Sequence, residues 1–233
     1  MIELSKVGYK DVIDDMLLQR SQMHNTYDAN QTVEETLYHF KDSYIYLNRD
    51  IRKTIGKNIG QADFVIEPTG QMIGLDNLIK QSIIPRDITL WRIATPYDFA
   101  LREMDTETFW KTFYKRDEMF QIPIYPETSL DFAFPKDIAK RVYREKNKSI
   151  IFKYNVKGGT EGVYMERFSN RNWMNNSEEE ILLGRNLIGK FKSRTSFNNY
   201  ELIEVDIIPD ANVGKNTVHK FWEEAPIEQR WGD

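Results

Sequence analysis

The feature that most constrains the fold is a change in the character of the sequence near residue 149. Before it, residues 9–24, 31–56 and 74–83 carry apolar side chains at helical spacing, with charged side chains between them. After it, short segments of β-forming residues alternate with clusters of Gly, Asn and Ser. These segments are SIIFKYNV, GVYM, EEILL, LIGKFKS and YELIEVDII. The sequence therefore predicts an α+β protein in which N-terminal helices pack on a mixed β core.

Between these two regions the chain alternates helix and strand signals. Pro85 ends the third helical segment, and residues 88–93 (ITLWRI) are rich in β-forming residues, which predicts a strand. Residues 106–116 return to helical spacing. Pro135 stands in the first turn of a further predicted helix, where proline is well tolerated. No internal repeat, low-complexity tract or Gly/Ser linker divides the chain, so we expect a single domain spanning residues 1–233.

Composition excludes several functional classes. The net charge of −4, from 32 basic and 36 acidic residues, provides no overall field that would attract nucleic acid or an anionic membrane. No stretch approaches the roughly 20 apolar residues of a membrane span, and the first residues lack the pattern of a signal peptide. We therefore expect the protein in the cytoplasm of the producing cell or of a host cell. The absence of cysteine and the isolation of the three histidines predict that no metal is bound.

Three consecutive acidic residues, Glu178, Glu179 and Glu180, precede a short apolar run. In an extended chain Glu178 and Glu180 share one face, and Glu179 points to the other. Two carboxylates on one face suit the stabilisation of a cation or the uptake of a proton. A run of charges is also typical of a solvated turn, so the triplet alone does not decide between a catalytic site and a surface feature.

Two arginines and two hydroxyl residues are further candidates for a site that binds an anion. Arg92 lies in an otherwise apolar strand, where a buried arginine needs a phosphate or a carboxylate as its partner. A structural ion pair would satisfy it equally well. Thr128 and Ser129 can orient a carboxylate or a ribose, or they can cap a helix. Arg141 follows in the helix that Pro135 opens, close to the predicted sheet.

Taken in order, these segments resemble the motifs of a known enzyme family. The run LWR, the run TSL with an AKR helix after it, and the run ExEILL are similar to the Arg, Ser-Thr-Ser and Glu-x-Glu motifs of the arginine-type mono-ADP-ribosyltransferases. Clostridial binary toxins and phage-encoded enzymes belong to this family. Residues 44–52, 75–92 and 191–209 are similar to the family's site-lining helix, its first core strand with the preceding helix and turn, and its closing hairpin.

The resemblance covers residues 35–209 and implies a division of the chain. Residues 35–209 would form the catalytic core, residues 1–34 an N-terminal helical extension and residues 210–233 a C-terminal tail. It also implies that the β core consists of two sheets and that NAD, the substrate, is held in the cleft between them. No metal takes part in this scheme.

The resemblance assigns four residues to the binding of NAD. Arg92 would hold a phosphate and the neighbouring ribose, and Arg141 would bind the pyrophosphate from the other side, both through charge-assisted hydrogen bonds. Tyr44 and Asn48 match helix positions that line the site. Together these residues would fix the dinucleotide before the reaction.

The resemblance assigns the chemistry to the acidic and hydroxyl residues. Glu180 would bind the nicotinamide ribose and stabilise the positive charge that develops as nicotinamide leaves. Glu178 would engage the guanidinium of the acceptor, and Thr128 and Ser129 would support the sheet and orient the catalytic carboxylate. One position departs from the family pattern, because Glu127 stands where the family has the first serine of its Ser-Thr-Ser motif.

The implied partner is a target protein that presents an arginine, for example actin or a component of a host's transcription or translation machinery. The loop that contains Phe168 and Trp173 would recognise it. Two other functions stay open at this point. An NAD glycohydrolase would use the same site without an acceptor, and a non-catalytic binding module would keep the fold without the chemistry.

Overall fold

Helices occupy the N-terminal part of the chain and strands the C-terminal part in the computed structural model, which describes residues 6–57, 66–94, 118–142, 149–165, 179–208 and 218–219. A short 3-10 helix, Lys6–Tyr9, leads into α1 (Lys10–Gln22), α2 (Val33–Lys57), α3 (Gly70–Ile79) and, later, α4 (Ala133–Val142). The strands are β1 (Ile88–Ala94), β2 (Met119–Ile122), β3 (Glu127–Ser129), β4 (Ser149–Val156), β5 (Gly162–Tyr164), β6 (Glu180–Leu183), β7 (Leu187–Ser196), β8 (Tyr200–Ile208) and β9 (Val218–His219). Within the described ranges, no helix combines the length and the apolar character needed to cross a membrane.

Helix α2 is the longest of these helices, and its sequence explains where it begins and which face it buries. The Glu35 N–H donates to Thr32 Oγ1 over 3.2 Å, and the Thr32 N–H donates to Glu35 Oε2 over 2.8 Å, which forms a reciprocal cap at the N-terminus. Apolar residues recur every three or four positions along one side and are buried in the core. They are Leu37, Phe40, Tyr44, Leu47, Ile51 and Ile55.

The nine strands form one hydrogen-bonded sheet in the order β5-β6-β3-β1-β4-β8-β7-β2-β9. The sheet is mixed, because β4 with β8 and β2 with β9 run parallel while the other neighbours run antiparallel. Strands β1 and β4 pair along the whole of β1, from Ile88 to Ala94. Strands β1 and β3, in contrast, are joined by the single pair Trp91 and Ser129. A three-stranded unit, β5-β6-β3, is thus attached to the other six strands by a narrow connection.

Alternating residues of β1 face two different hydrophobic clusters. Leu90 and Ala94 belong to the large core, which also contains the buried face of α2. Trp91 and Ile93 pack against a smaller cluster beneath α4, where the rings of Trp91 and Phe132 lie 4.5 Å apart. Since side chains alternate along a strand, Arg92 shares the face of Leu90 and points to the same side as α2.

The structure confirms the predicted α+β class, with N-terminal helices on a mixed β core. The two predicted sheets are joined into one through the Trp91–Ser129 pair, which sequence patterns could not show. Each predicted helix in the described ranges is present, although α3 begins at Gly70 because Thr69 caps it: its side chain accepts from the Met72 N–H. The helix predicted at residues 106–116 lies outside the described residues.

Candidate active site

Glu180 is the first residue of β6, and 4% of its surface is exposed. A buried carboxylate is costly unless a counter-charge accompanies it. Lys41 of α2 provides that charge, because its Nζ lies 3.2 Å from Glu180 Oε2 and its side chain is only 16% exposed. The ion pair is therefore shielded from water, and electrostatic interactions around it are stronger than they would be at the surface.

Tyr44 and Glu127 form a second contact between α2 and the same three-stranded unit. The Tyr44 hydroxyl donates to Glu127 Oε2 over 2.6 Å. Burial raises the pKa of Tyr44 far above its usual range, and the charges of Glu127 and then of Glu180 raise it further. Tyr44 thus remains a neutral donor, and both carboxylates lie close enough to act on its hydroxyl.

The two hydroxyl residues of β3 are both buried and both bonded. Thr128 Oγ1 donates to the Ile181 carbonyl over 2.6 Å and so ties β3 to β6. Ser129 Oγ accepts from the Asp131 N–H over 2.9 Å and donates to the Asp131 carbonyl, which shapes the turn into α4. Ser129 is also the Cα partner of Glu180 across the strands.

Arg92 and Glu180 lie on neighbouring parts of the sheet. Trp91, Ser129 and Glu180 form one row across β1, β3 and β6, so the backbones of Trp91 and Glu180 are about two strand spacings, roughly 10 Å, apart. Arg92 follows Trp91 and is 4% exposed. It faces the cluster that contains the buried side of α2, from which Lys41 reaches Glu180.

Arg141 lies apart from this arrangement. It is in the last turn of α4, where it is exposed. Helix α4 packs on the side of β1 that carries Trp91, opposite to Arg92. The structure therefore places the two arginines on opposite sides of β1 and does not bring Arg141 together with Arg92 and Glu180 on the face of α2.

Asn48 supports the chain segment that leads into β3. Its Nδ2 donates to the Tyr125 carbonyl over 2.9 Å, and its Oδ1 accepts from the Tyr125 N–H over 2.8 Å. The Tyr125 hydroxyl in turn donates to Asp76 Oδ1 over 2.7 Å, and Arg185 forms hydrogen bonds with both oxygens of Asp76. This network connects α2 and α3 to the segments just before β3 and just after β6.

The acidic triplet is only partly extended. Glu179 has a φ of +43°, in the left-handed region that few residues other than glycine adopt, so the strand alternation does not continue back through it. The predicted extended run is therefore wrong at Glu179, whose carboxylate accepts from the Tyr164 hydroxyl over 2.6 Å. Glu178 lies outside the described residues, as do Phe168 and Trp173 of the loop predicted to recognise a target.

Lys41 and the contacts of Glu127 were not found from the sequence. A signal for Lys41 is present, because Lys41, Tyr44 and Asn48 follow the spacing i, i+3 and i+7 and therefore share one face of α2. That spacing does not show that this face meets Glu180, which is far away in the sequence. Among the described residues, no group of three or more His, Asp or Glu side chains is arranged to hold a metal ion.

The arrangement can perform two chemical tasks. The guanidinium group of Arg92 suits a phosphate of a dinucleotide. The shielded carboxylate of Glu180, two strands away, suits a sugar hydroxyl and a positive charge that forms on the sugar. The residues present thus fit a dinucleotide such as NAD.

Comparison with known proteins gives the same family. The sequence matches the ADP-ribosyltransferase exoenzyme family over residues 19–208. No curated protein was found to be significantly similar. Among solved structures, an ADP-ribosyltransferase from Clostridium botulinum is similar with a TM-score of 0.58 and 17% identity, covering 90% of this chain and 99% of that chain.

Two further solved structures share the fold. A protein from S. aureus, solved with NAD, has a TM-score of 0.53 and 16% identity, covering 86% of this chain and 92% of its own. The Vis toxin of Vibrio splendidus has a TM-score of 0.53 and 14% identity over 97% of both chains. Because the family match spans well over half of the sequence and the fold agrees with it, this chain belongs to the ADP-ribosyltransferase exoenzyme family.

Proposed function

We propose that this NAD-dependent ADP-ribosyltransferase transfers ADP-ribose from NAD to an arginine side chain of a target protein and releases nicotinamide. Its family and fold indicate the general activity. The observation that carries the proposal is the shielded carboxylate of Glu180, which lies in a strand close to that of Arg92, with only β3 between them, and is held by a lysine of α2. Such a carboxylate suits a sugar that becomes positively charged.

Each residue of the site has a distinct part in the proposed reaction. Arg92 and Arg141 bind the phosphates and so fix the position of the nicotinamide ribose. Glu180 accepts a hydrogen bond from a hydroxyl of that ribose and stabilises the positive charge as the bond to nicotinamide breaks. The guanidinium nitrogen of the acceptor forms the new bond to the same carbon, and its proton passes to Glu178.

The proposed acceptor is arginine for two reasons. The motif has Glu as its first acid, Glu178, and a carboxylate is the natural partner of a guanidinium. A structure of the related Vis enzyme contains agmatine, a small molecule that ends in a guanidinium group. The target would be a protein of a host cell, such as actin or a component of the transcription or translation machinery.

The proposal is tested by incubating the protein with NAD labelled in its adenylate part and with a cell lysate. We expect labelled protein, and we expect the label to be lost on treatment with neutral hydroxylamine, which releases ADP-ribose from arginine. Glu180→Gln should reduce the transfer rate at least about 100-fold, because it removes the charge aimed at the developing cation and preserves the shape of the side chain. Glu161→Gln, at an exposed position just before β5, is the matched control and should retain full activity.

Three results would contradict parts of the proposal. Free ADP-ribose without labelled protein would indicate an NAD glycohydrolase. No consumption of NAD at all would indicate a binding module. Normal labelling by Glu180→Gln, with an unchanged circular dichroism spectrum, would show that Glu180 does not carry the chemistry.

A further inference from the structure

Glu180 is proposed to stabilise a positively charged sugar, but its nearest charged neighbour is itself positive. Lys41 places a positive charge 3.2 Å from the carboxylate. Together the two groups are neutral, whereas a transition state with a positively charged sugar is stabilised by a negative environment. The ion pair therefore lowers the energetic cost of burying the Glu180 carboxylate. At the same time, the positive charge of Lys41 weakens the negative field that Glu180 provides.

A second carboxylate lies close to this pair. Glu127 and Ser129 are two residues apart on β3, so their side chains leave the strand on the same side, and Ser129 is the direct partner of Glu180 on β6. The Tyr44 hydroxyl donates to Glu127 Oε2 over 2.6 Å. The same hydroxyl senses the charges of both Glu127 and Glu180, which places the two carboxylates around one phenol.

We propose that Glu127 is a second anionic residue of the active site, whose charge offsets that of Lys41 and leaves the cluster with a net charge of −1 facing the reacting sugar. This inference rests on the proposed function. Tyr44 holds the Glu127 carboxylate in place by its hydrogen bond, and because the phenol stays neutral it adds no charge of its own. Glu127 acts through its field on the charge that develops, and it does not exchange a proton with the substrate.

The proposal accounts for the position at which this chain departs from the family motif. A serine at residue 127 could donate a hydrogen bond to a neighbouring carboxylate, but it could not offset a lysine. Lys41 and Glu127 then carry opposite charges close to Glu180, and each offsets the effect of the other on the reacting sugar. We expect the two changes to act in opposite directions on the reaction, so that removing both charges restores what the removal of Glu127 alone takes away.

The test compares wild type, Glu127→Gln, Lys41→Met and the double variant K41M/E127Q, with NAD as the substrate varied up to saturation. Glutamine can still accept the Tyr44 hydrogen bond, so Glu127→Gln removes the charge and keeps the contact. We expect kcat to fall roughly 10- to 100-fold, as calculated for a unit charge about 6 Å from the reacting centre at an effective dielectric constant of about 20 to 40. The KM for NAD should change less than about 3-fold, because the charge acts mainly in the transition state.

Adding Lys41→Met to Glu127→Gln returns the net charge around Glu180 to −1, so the double variant should recover most of the kcat that Glu127→Gln alone loses. Tyr44→Phe, which removes the hydroxyl and leaves the carboxylate, should cost less activity than Glu127→Gln. The exposed Glu161→Gln variant controls for the loss of a carboxylate elsewhere in the protein. All variants are compared at equal folded fraction, measured by circular dichroism.

The outcomes separate the inference from the function on which it rests. A double variant no faster than Glu127→Gln would overturn the inference, since a change at Lys41 cannot restore activity that was lost for a purely structural reason. A Glu127→Gln variant as active as wild type would also overturn it, and it would leave the proposed function intact. A wild-type protein that consumes no NAD would overturn both.

Discussion

Replacing Asp76 tests the network that supports the two strands of the site. Asp76 accepts hydrogen bonds from both Nε and Nη2 of Arg185 and from the Tyr125 hydroxyl. The side chains of Arg185 and Asp76 are only 12% and 20% exposed. In Asp76→Asn the amide can still accept from Tyr125, but Arg185 loses its counter-charge in a poorly solvated position.

The expected loss of stability follows from these contacts. Breaking a fully buried ion pair costs about 3 to 5 kcal/mol, because one charge is left without a partner. Arg185 retains some contact with water, so we expect about 2 to 3 kcal/mol. For a chain of this length each kcal/mol lowers the Tm by about 2 to 4 °C, which gives a decrease of about 4 to 12 °C.

The matched control is Asp87→Asn, because Asp87 also pairs with one cation, Lys157, but both side chains are more than 60% exposed. Exposed pairs contribute little, so its Tm should not change measurably. The assay is thermal unfolding followed by circular dichroism at one protein concentration. If Asp76→Asn and Asp87→Asn unfold at the same temperature, the network does not stabilise the fold and the reasoning is refuted.

Two further predictions concern packing and ionisation. In Gly189→Ala the added Cβ would lie 2.7 Å from Phe120 Cζ and 2.9 Å from Val205 Cγ1, which is too close for an undisturbed fit. We expect the free energy of unfolding, measured by urea titration, to fall by about 1 to 3 kcal/mol. An unchanged urea midpoint would contradict this prediction. The pKa of Tyr44 is raised in the folded protein, so this group stabilises the fold fully below about pH 10, and its contribution is lost as the pH rises further. Between about pH 10 and 12, Tyr44→Phe should therefore lose less stability than wild type. An equal loss in both proteins would refute the raised pKa.

Much of the fold could be predicted because its elements have strong local signals. The buried face of α2 repeats every three or four residues, and the strands from β4 to β8 are bounded by turn residues. The single-pair connection between β1 and β3 could not be predicted, because it depends on how two distant strands are positioned in space. The left-handed conformation of Glu179 was equally hidden, since nothing in a run of three glutamates marks one of them as a turn residue.

The candidate site shows the same division. Arg92 and Glu180 could be selected because a charged residue beside or within an apolar strand is unusual. The contact between Tyr44 and Glu127 joins residues 83 positions apart, and a sequence pattern specifies which face a residue occupies but not what that face meets. Lys41 is an intermediate case. The helical spacing predicts that it shares a face of α2 with Tyr44, but the sequence does not predict its ion pair with Glu180.

The shared face of α2 restricts which changes this protein can accept. Lys41, Tyr44 and Asn48 contact Glu180, Glu127 and the segment before β3, respectively, and all three depend on one helix. Each residue of an α-helix turns by about 100°, so inserting or deleting one residue between Lys41 and Asn48 would rotate one part of the face away from its partners. In this stretch of α2 the length is therefore more constrained than the identity of the residues on the outer surface, where substitutions leave all three contacts in place.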